Sequence, residues 1–380
     1  MTKILLTGFP GFLGSELVRR ILARRAKPSV VCLVQPKFVS LAKKRLAEIE
    51  AELAPGPGRA GSAGKAGKTS AGGLGGRLQL VTGDITQKDL GLENPAALAR
   101  EVSEIFHLAA VYDLSVKRES AMKINVLGTR NVLDYAARCA QLRRLQYVST
   151  CYVSGRYAGI FREDDLVRGQ EFNNFYEETK YLAETEVRER MAAGMPVSIY
   201  RPAVVTGDSR SGETQKYDGP YYVIRWLLKQ PTVAVLPVPG DPKRTRINLV
   251  PRDFVIDAIA ALSESKGAAG RCYQLADPDP PTIDEAITMM GQATGRVIVR
   301  VPMPLGIAKS AIEHVPGVYQ LLGIPASAVD YFIHPTFYDT AHADRDLAAL
   351  GIRCPKLADY MPRLVEFMRA HPDIESGAMV

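Results

Sequence analysis

The sequence predicts a doubly wound, parallel α/β fold followed by a smaller, mostly helical C-terminal lobe. Three observations predict it. Short apolar strands alternate with helical segments through the first 200 residues. Those strands lack polar alternation, as befits a sheet covered on both faces. Glycines at 8, 11 and 14 separate the first strand from the first helix.

Each element is justified in turn. Lys3–Thr7 is an apolar run ending at glycine, and Val30–Val34 is a second. Leu78–Thr82, Ile105–Leu108, Leu145–Ser149 and Val197–Arg201 continue the series. Between them, Leu13–Ala26, Val39–Leu53, Ala96–Val102, Ala121–Ala140 and Tyr176–Ala193 carry helical spacing. The stretch Ala54–Arg77 breaks the rhythm: nine of its 24 residues are Gly and five are Ala. It has little apolar surface to bury, so a flexible surface insertion is expected. After Gly207 the pattern loosens, with helices expected at Tyr221–Lys229, Pro251–Ser265 and Leu357–Ala370 and a strand at Cys272–Ala276. Residues 208–380 are assigned mainly to a lobe closing over the carboxyl edge of the sheet, where ligands bind in such folds. The segment 245–275 is expected to return to the first unit, residues 1–207.

Composition narrows the function classes. Apolar residues make up 46% and charged residues 23%, the balance of a folded chain. No run approaches 18 apolar residues, so no transmembrane segment is expected. The N-terminus lacks a hydrophobic leader, which points to the cytoplasm. Five scattered cysteines without a C-x-x-C pair argue against disulfides, and five histidines without ligand spacing argue against a metal. Residues 1–60 hold eleven Lys or Arg against four Glu, a net of +7 that equals the whole chain's excess. No basic stripe with interleaved aromatics follows, so a nucleic-acid partner is not expected.

The chemistry-bearing residues begin at the first turn. Gly8 permits the tight turn, Gly11 lets backbone approach a pyrophosphate, and Gly14 allows close helix–strand packing. Gly8, Pro10, Gly11, Phe12, Leu13 and Gly14 are therefore assigned to a dinucleotide, with the helix N-terminus facing its phosphates. The second strand ends in Gln35-Pro-Lys37 without a carboxylate until Glu48. An acidic residue there would hold a ribose 2′-hydroxyl, whereas Lys37 and Arg45 suit a 2′-phosphate, so NADPH is expected over NADH. Asp84 and Ile85 follow the third strand and face the adenine edge. Leu108, Ala109 and Ala110 are small residues where the cofactor crosses. His107 is read as a packed, hydrogen-bonded residue rather than a catalyst.

Tyr176-Glu-Glu-Thr-Lys180 places a phenol and an ammonium on one helical face. The ammonium is expected to lower the phenol pKa, preparing Tyr176 to give a proton to a carbonyl oxygen as hydride reaches its carbon. Lys180 also suits the nicotinamide ribose. Ser149 and Thr150, at the end of the fifth strand, supply hydroxyls to stabilise an oxyanion.

These motifs resemble the extended short-chain dehydrogenase/reductase family over about the first 260 residues. Within it the chain is most similar to fatty acyl-CoA reductases and carrier-protein thioester reductase domains. The resemblance rests on Thr7–Gly14, Asn125-Val-Leu-Gly-Thr129, Tyr147-Val-Ser-Thr150, Asn174–Glu184, Arg201–Gly207 and Asn248–Val255. It implies Thr150, Tyr176 and Lys180 as the catalytic set, Ser149 beside the cofactor, and Pro202, Ala203 and Val204 against the nicotinamide. It also implies pairing of two copies through the Tyr-x-x-x-Lys helices. Gln35 departs from the family, which usually carries Arg there.

The leading expectation is an NADPH-dependent oxidoreductase of an acyl thioester, CoA- or carrier-bound, giving aldehyde and then alcohol. An aldehyde or ketone reductase and a nucleotide-sugar epimerase or dehydratase use the same machinery. A cofactor-sensing regulatory protein is the non-enzyme alternative. Residues beyond 280 fit no pattern.

Overall fold

A computed structural model describes residues 2–53, 74–113, 116–314 and 326–374. Its centre is a seven-stranded parallel sheet. The strands are β1 (Lys3–Thr7), β2 (Ser29–Val34), β3 (Leu78–Thr82), β4 (Val102–His107), β5 (Arg144–Val148), β7 (Val197–Pro202) and β11 (Cys272–Leu275), in the order β11-β7-β5-β4-β1-β2-β3. Three short strands complete the numbering to this point: β6 (Gly159–Phe161), β8 (Val204–Thr206) and β10 (Leu249–Pro251), with β9 (Val233–Pro239) beyond the sheet. The order reverses beside β1, which places a crevice at its carboxyl end.

Both faces of the sheet are covered, which is why its strands read as continuous apolar runs. Ile4 and Leu6 of β1 pack with α1 (Phe12–Leu22) and α8 (Arg252–Glu264) on one side. Leu5 joins α5 (Gly128–Ala137) and α6 (Phe175–Ala192) on the other. All three side chains are fully buried, each contributing about 1.5–3 kcal/mol on transfer from water.

Helices α2 (Val39–Leu53), α3 (Pro95–Glu101) and α4 (Arg118–Ala121) complete the run to α5. The expected single helix over Ala121–Ala140 is interrupted by a π-helical turn at Met122–Leu127. Most of the expected insertion, 54–73, lies outside the described residues. Its last residues are packed: Leu74 is buried in the sheet's core, and Arg77 donates to the Leu22 and Pro28 carbonyls. The flexible reading therefore does not extend to residues 74–77.

The segment 245–275 contributes β10, α8 and β11. β10 pairs with β8, α8 packs on α1, and β11 forms the sheet's edge beside β7. A second core joins α7 (Pro220–Leu228), α9 (Ile283–Thr294) and the C-terminal α12 (Leu357–Ala370). Beside it β9 pairs with β12 (Val297–Met303). After α10 (Leu305–His314), the chain reaches β13 (Thr336–Tyr338), which pairs with β6, and then α11 (Ala341–Ala348), which packs on β11 and α8. No helix among the described residues is long and apolar enough to cross a membrane. No His, Cys, Asp and Glu cluster suited to a metal occurs among them.

Candidate active site

The glycine turn is built for close approach. Gly8 has φ +96°, and a Cβ there would lie 2.9 Å from the Ala109 nitrogen. On Gly11 and Gly14 it would meet the Gly8 carbonyl at 2.8 and 2.4 Å. Gly11 caps α1 without a side chain, so the first amides of Phe12 and Leu13 open toward whatever lies against the turn. The Phe9–Pro10 peptide is cis.

At the end of β2, Gln35 is partly exposed and Lys37 is exposed with its Nζ 4.9 Å from the Phe38 ring. Arg45 does not join it: its guanidinium holds Glu48 at 2.8 Å, one turn along α2. Asp84 caps a turn through Thr86 N at 2.8 Å, and the Ile85 side chain is buried under Gly128.

Leu108–Ala110 line the crevice floor, held from below by a hydrogen-bond relay of fixed direction. Thr129 donates to the Asn125 carbonyl (2.6 Å), so it accepts from His107 Nε2 (3.0 Å). His107 Nδ1 then accepts from Thr7 Oγ1 (2.7 Å), which accepts from Ala109 N (3.2 Å). Burial, with help from the Lys180 charge, pushes the His107 pKa down to about 3. It is a neutral structural residue. Asn125, on the π-turn, clasps both Val111 N (2.9 Å) and Val111 O (3.3 Å).

Two hydroxyls follow β5, and they face different ways. Ser149 Oγ donates to Glu184 Oε2 at 2.6 Å, away from the crevice role expected of it. Glu184 is fully buried and bidentate to Arg201, at 2.6 and 3.0 Å. Burial alone would raise the Glu184 pKa, but Arg201 and Arg188 bring it down to about 2. Thr150 instead caps the turn at Tyr152 N (3.2 Å), and its hydroxyl lies 3.5 Å from the Pro202 carbonyl.

Tyr176 sits in the first turn of α6, whose N-cap Asn174 accepts from Glu177 N at 3.0 Å. Tyr176, Lys180, Ala183, Glu184 and Val187 share the buried stripe of that helix. The Tyr112 ring stands edge-on to Tyr176 at 4.9 Å.

Lys180 corrects one expectation. Its Nζ donates to the Tyr147 hydroxyl (3.1 Å) and the Val148 carbonyl (2.9 Å). Burial lowers its pKa to about 8, against a smaller opposing effect of Glu184. Burial likewise raises the Tyr176 pKa, with Thr150 the interaction that pulls it down. The phenol is held as a neutral acid, not tuned toward tyrosinate. The reason is geometric: the ammonium lies against β5 and is desolvated there.

Beyond β7, Ala203 N and Val204 N donate to the carbonyls of Leu275 (3.1 Å) and Asn248 (3.2 Å), while the Pro202 carbonyl lies 3.5 Å from Thr150 Oγ1. The sequence reading missed the wall facing Thr150. Tyr331 OH donates to Glu177 Oε1 (2.7 Å) and stacks edge-on with Tyr152 at 4.8 Å, with His334 and Tyr338 alongside. Five aromatic or imidazole rings among residues 331–338 were the available signal.

A family model described as "Male sterility protein" matches residues 6–259. A nonribosomal peptide synthetase of Aspergillus flavus is 26% identical over 73% of this chain and 26% of its own length. An alcohol-forming fatty acyl-CoA reductase of Simmondsia chinensis is 32% identical over 31% of this chain and 25% of its own. The chain thus spans about a quarter of either relative. The terminal R domain from the myxalamid PKS-NRPS biosynthetic pathway superposes with a TM-score of 0.77 at 28% identity, covering 99% of this chain and 92% of that one.

Proposed function

The chain belongs to the male sterility protein family, NAD-binding domains of the extended short-chain dehydrogenase/reductase type, and from that premise we propose that it reduces an acyl thioester to an aldehyde with NADPH. One observation carries the reading: Tyr176 of α6 and Thr150, just past β5, are both buried beyond the carboxyl end of the sheet, with Thr150 the neighbour that draws the raised phenol pKa back down. Relatives named as peptide synthetases and as a fatty acyl-CoA reductase favour a thioester over a sugar nucleotide.

The glycine turn fits a dinucleotide phosphate, since the N-cap Gly11 leaves the first amides of α1 without a side-chain partner. Gly8–Gly14 and Leu108–Ala110 would hold it, with Lys180 at the ribose. A bound reduced nicotinamide supplies the hydride. Tyr176 and Thr150 donate to the substrate carbonyl oxygen, stabilising negative charge as it develops there. Because burial raises the phenol pKa, Tyr176 keeps its proton at neutral pH and has it to give. Collapse of the resulting hemithioacetal releases thiol and aldehyde, and a second round gives alcohol. The same donors serve a simple aldehyde or ketone. NADPH oxidation measured across acyl-CoAs, aldehydes and ketones separates these readings, and activity on carbonyls alone rejects the thioester.

For the cofactor, the exposed Lys37 beside a strand end without a carboxylate favours a 2′-phosphate. Lys37→Ala is expected to narrow the NADPH preference about tenfold, the value of one charge-assisted contact. Fluorescence titration checks this, and equal or tighter NADH binding by the unaltered protein overturns it.

A further inference from the structure

The first turn of α6, which carries Tyr176, is closed from a distant part of the chain. The opening amides of a helix have no partner within it, so side chains set how that turn sits. Asn174 Oδ1 accepts from Glu177 N at 3.0 Å, and the Glu177 carboxyl reaches back to Asn173 N at 2.9 Å. Glu177 is fully buried, so bulk water does not complete this pair. The Tyr331 hydroxyl does: it donates to Glu177 Oε1 at 2.7 Å and accepts from Asn174 Nδ2 at 3.0 Å. Tyr331 comes from the short helical turn Ala326–Ile333, 154 residues beyond Glu177. Its ring stands edge-on to Tyr152 at 4.8 Å, and the neighbouring Asp330 is tied to Lys309 of α10 at 2.7 Å.

We propose that Tyr331 is a positioning residue for Tyr176, holding the phenol in place by bonding both side chains that cap its helical turn. The assignment rests on reading Tyr176 as a donor to the substrate carbonyl. Tyr176 lies between Asn174 and Glu177 in the chain, so it moves with them. Proton donation requires the phenol oxygen within hydrogen-bond reach of the carbonyl oxygen, and a misplacement of about 1 Å costs as much as about 10²-fold in rate. Without the Tyr331 hydroxyl, a buried carboxyl oxygen and an amide hydrogen both lose a partner, and the turn relaxes toward others. The ring alone does not replace that bond, since a phenyl group keeps the contact with Tyr152 but neither donates nor accepts. The C-terminal segment thereby takes part in the chemistry without touching the substrate.

The test is a double-variant cycle on the full chain: Tyr331→Phe, Tyr176→Phe and both together. Butanoyl-CoA is the substrate, or butanal should the thioester not be reduced. Tyr331→Phe is expected to lower kcat about 10–100-fold, while KM for the substrate and NADPH affinity hold. Hydrogen exchange at the Glu177 amide is expected to quicken about tenfold in the same variant. In the Tyr176→Phe background the second substitution should change kcat by no more than about twofold, since the group it positions is gone. An unchanged kcat or exchange rate in Tyr331→Phe overturns the proposal. So does an undiminished loss in the Tyr176→Phe background, which marks general damage to the fold. Those outcomes reject Tyr331 alone, whereas near-normal turnover by Tyr176→Phe rejects the donor reading and Tyr331 together. If neither substrate is reduced, the proposed function fails, and the exchange rate then decides whether Tyr331 holds the turn.

Discussion

Arg201 and Lys180 are two cations buried at the carboxyl end of the sheet, and their surroundings differ in kind. Arg201 meets a carboxylate with two hydrogen bonds, accepted by Glu184. Its pKa is raised despite burial, with Glu184 among the groups that outweigh desolvation. Lys180 meets only neutral oxygens, and burial brings it within reach of physiological pH. One region fixes a charge to hold β7 against α6. The other holds a desolvated charge against neutral oxygens. The same helix serves both, because Lys180 and Glu184 lie four residues apart on one stripe.

The largest expected effect lies on the catalytic side. Tyr176→Phe removes a hydroxyl and no packing, so turnover is expected to fall about 10²–10⁴-fold. Cofactor affinity and melting temperature should stay near their original values. Single-turnover NADPH oxidation measures the fall, and near-normal rates on every reducible substrate would take Tyr176 out of the chemistry.

On the clamp side, Glu184→Gln leaves Arg201 buried without its counter-charge, at a cost of about 3–5 kcal/mol in urea unfolding. The sign with pH follows. The folded carboxyl titrates near 2, below its ordinary range, so its stabilisation is full above about pH 5 and is lost as pH falls from there toward 2. A loss under about 1 kcal/mol would show that the pair does not organise the region.

The adjacent hydroxyls sharpen the contrast. Thr150→Ala is expected to reduce turnover about 10²–10³-fold, as for an oxyanion donor, with stability kept. Ser149→Ala is expected to keep turnover and lower stability by about 1.5–3 kcal/mol, because its partner is a buried carboxylate. Reversal of the two phenotypes in paired kinetics and melting curves would exchange the roles.

The smallest effect is a pH limb. Folded Lys180 loses its proton near pH 8, below the 10.5 of a free lysine. Between these values the unfolded chain holds more protons, so stability rises with pH across that window. Activity moves the other way: kcat/KM should fall about tenfold by pH 9 as the ammonium is lost. Lys180→Met should flatten both profiles, and persistence of the alkaline limb in that variant assigns it to another group.

Legibility in the sequence divides along the same line. The glycine turn, the strands and the Tyr176/Lys180 spacing are local patterns, and the parallel sheet forms from the strands so read. The direction of the ammonium was not local. It depends on Tyr147 and Val148, 33 and 32 residues away in the chain. Ser149 and Thr150 were separated in the sequence by family resemblance alone, and the Ser149 bond to the buried Glu184 was not legible there. The wall from Tyr331 to Tyr338 was hidden for the same reason. It reaches the site through the pairing of β13 with β6, across more than 170 residues, and no periodicity announces such a contact.

The relay under Leu108–Ala110 has a consequence for the living cell. Its members pass hydrogen bonds in one direction and none gains a proton until His107 titrates near pH 3. The bed on which a dinucleotide would lie is therefore electrically constant through acid stress. Acidification that would charge an exposed imidazole leaves this bed as it is until about pH 3.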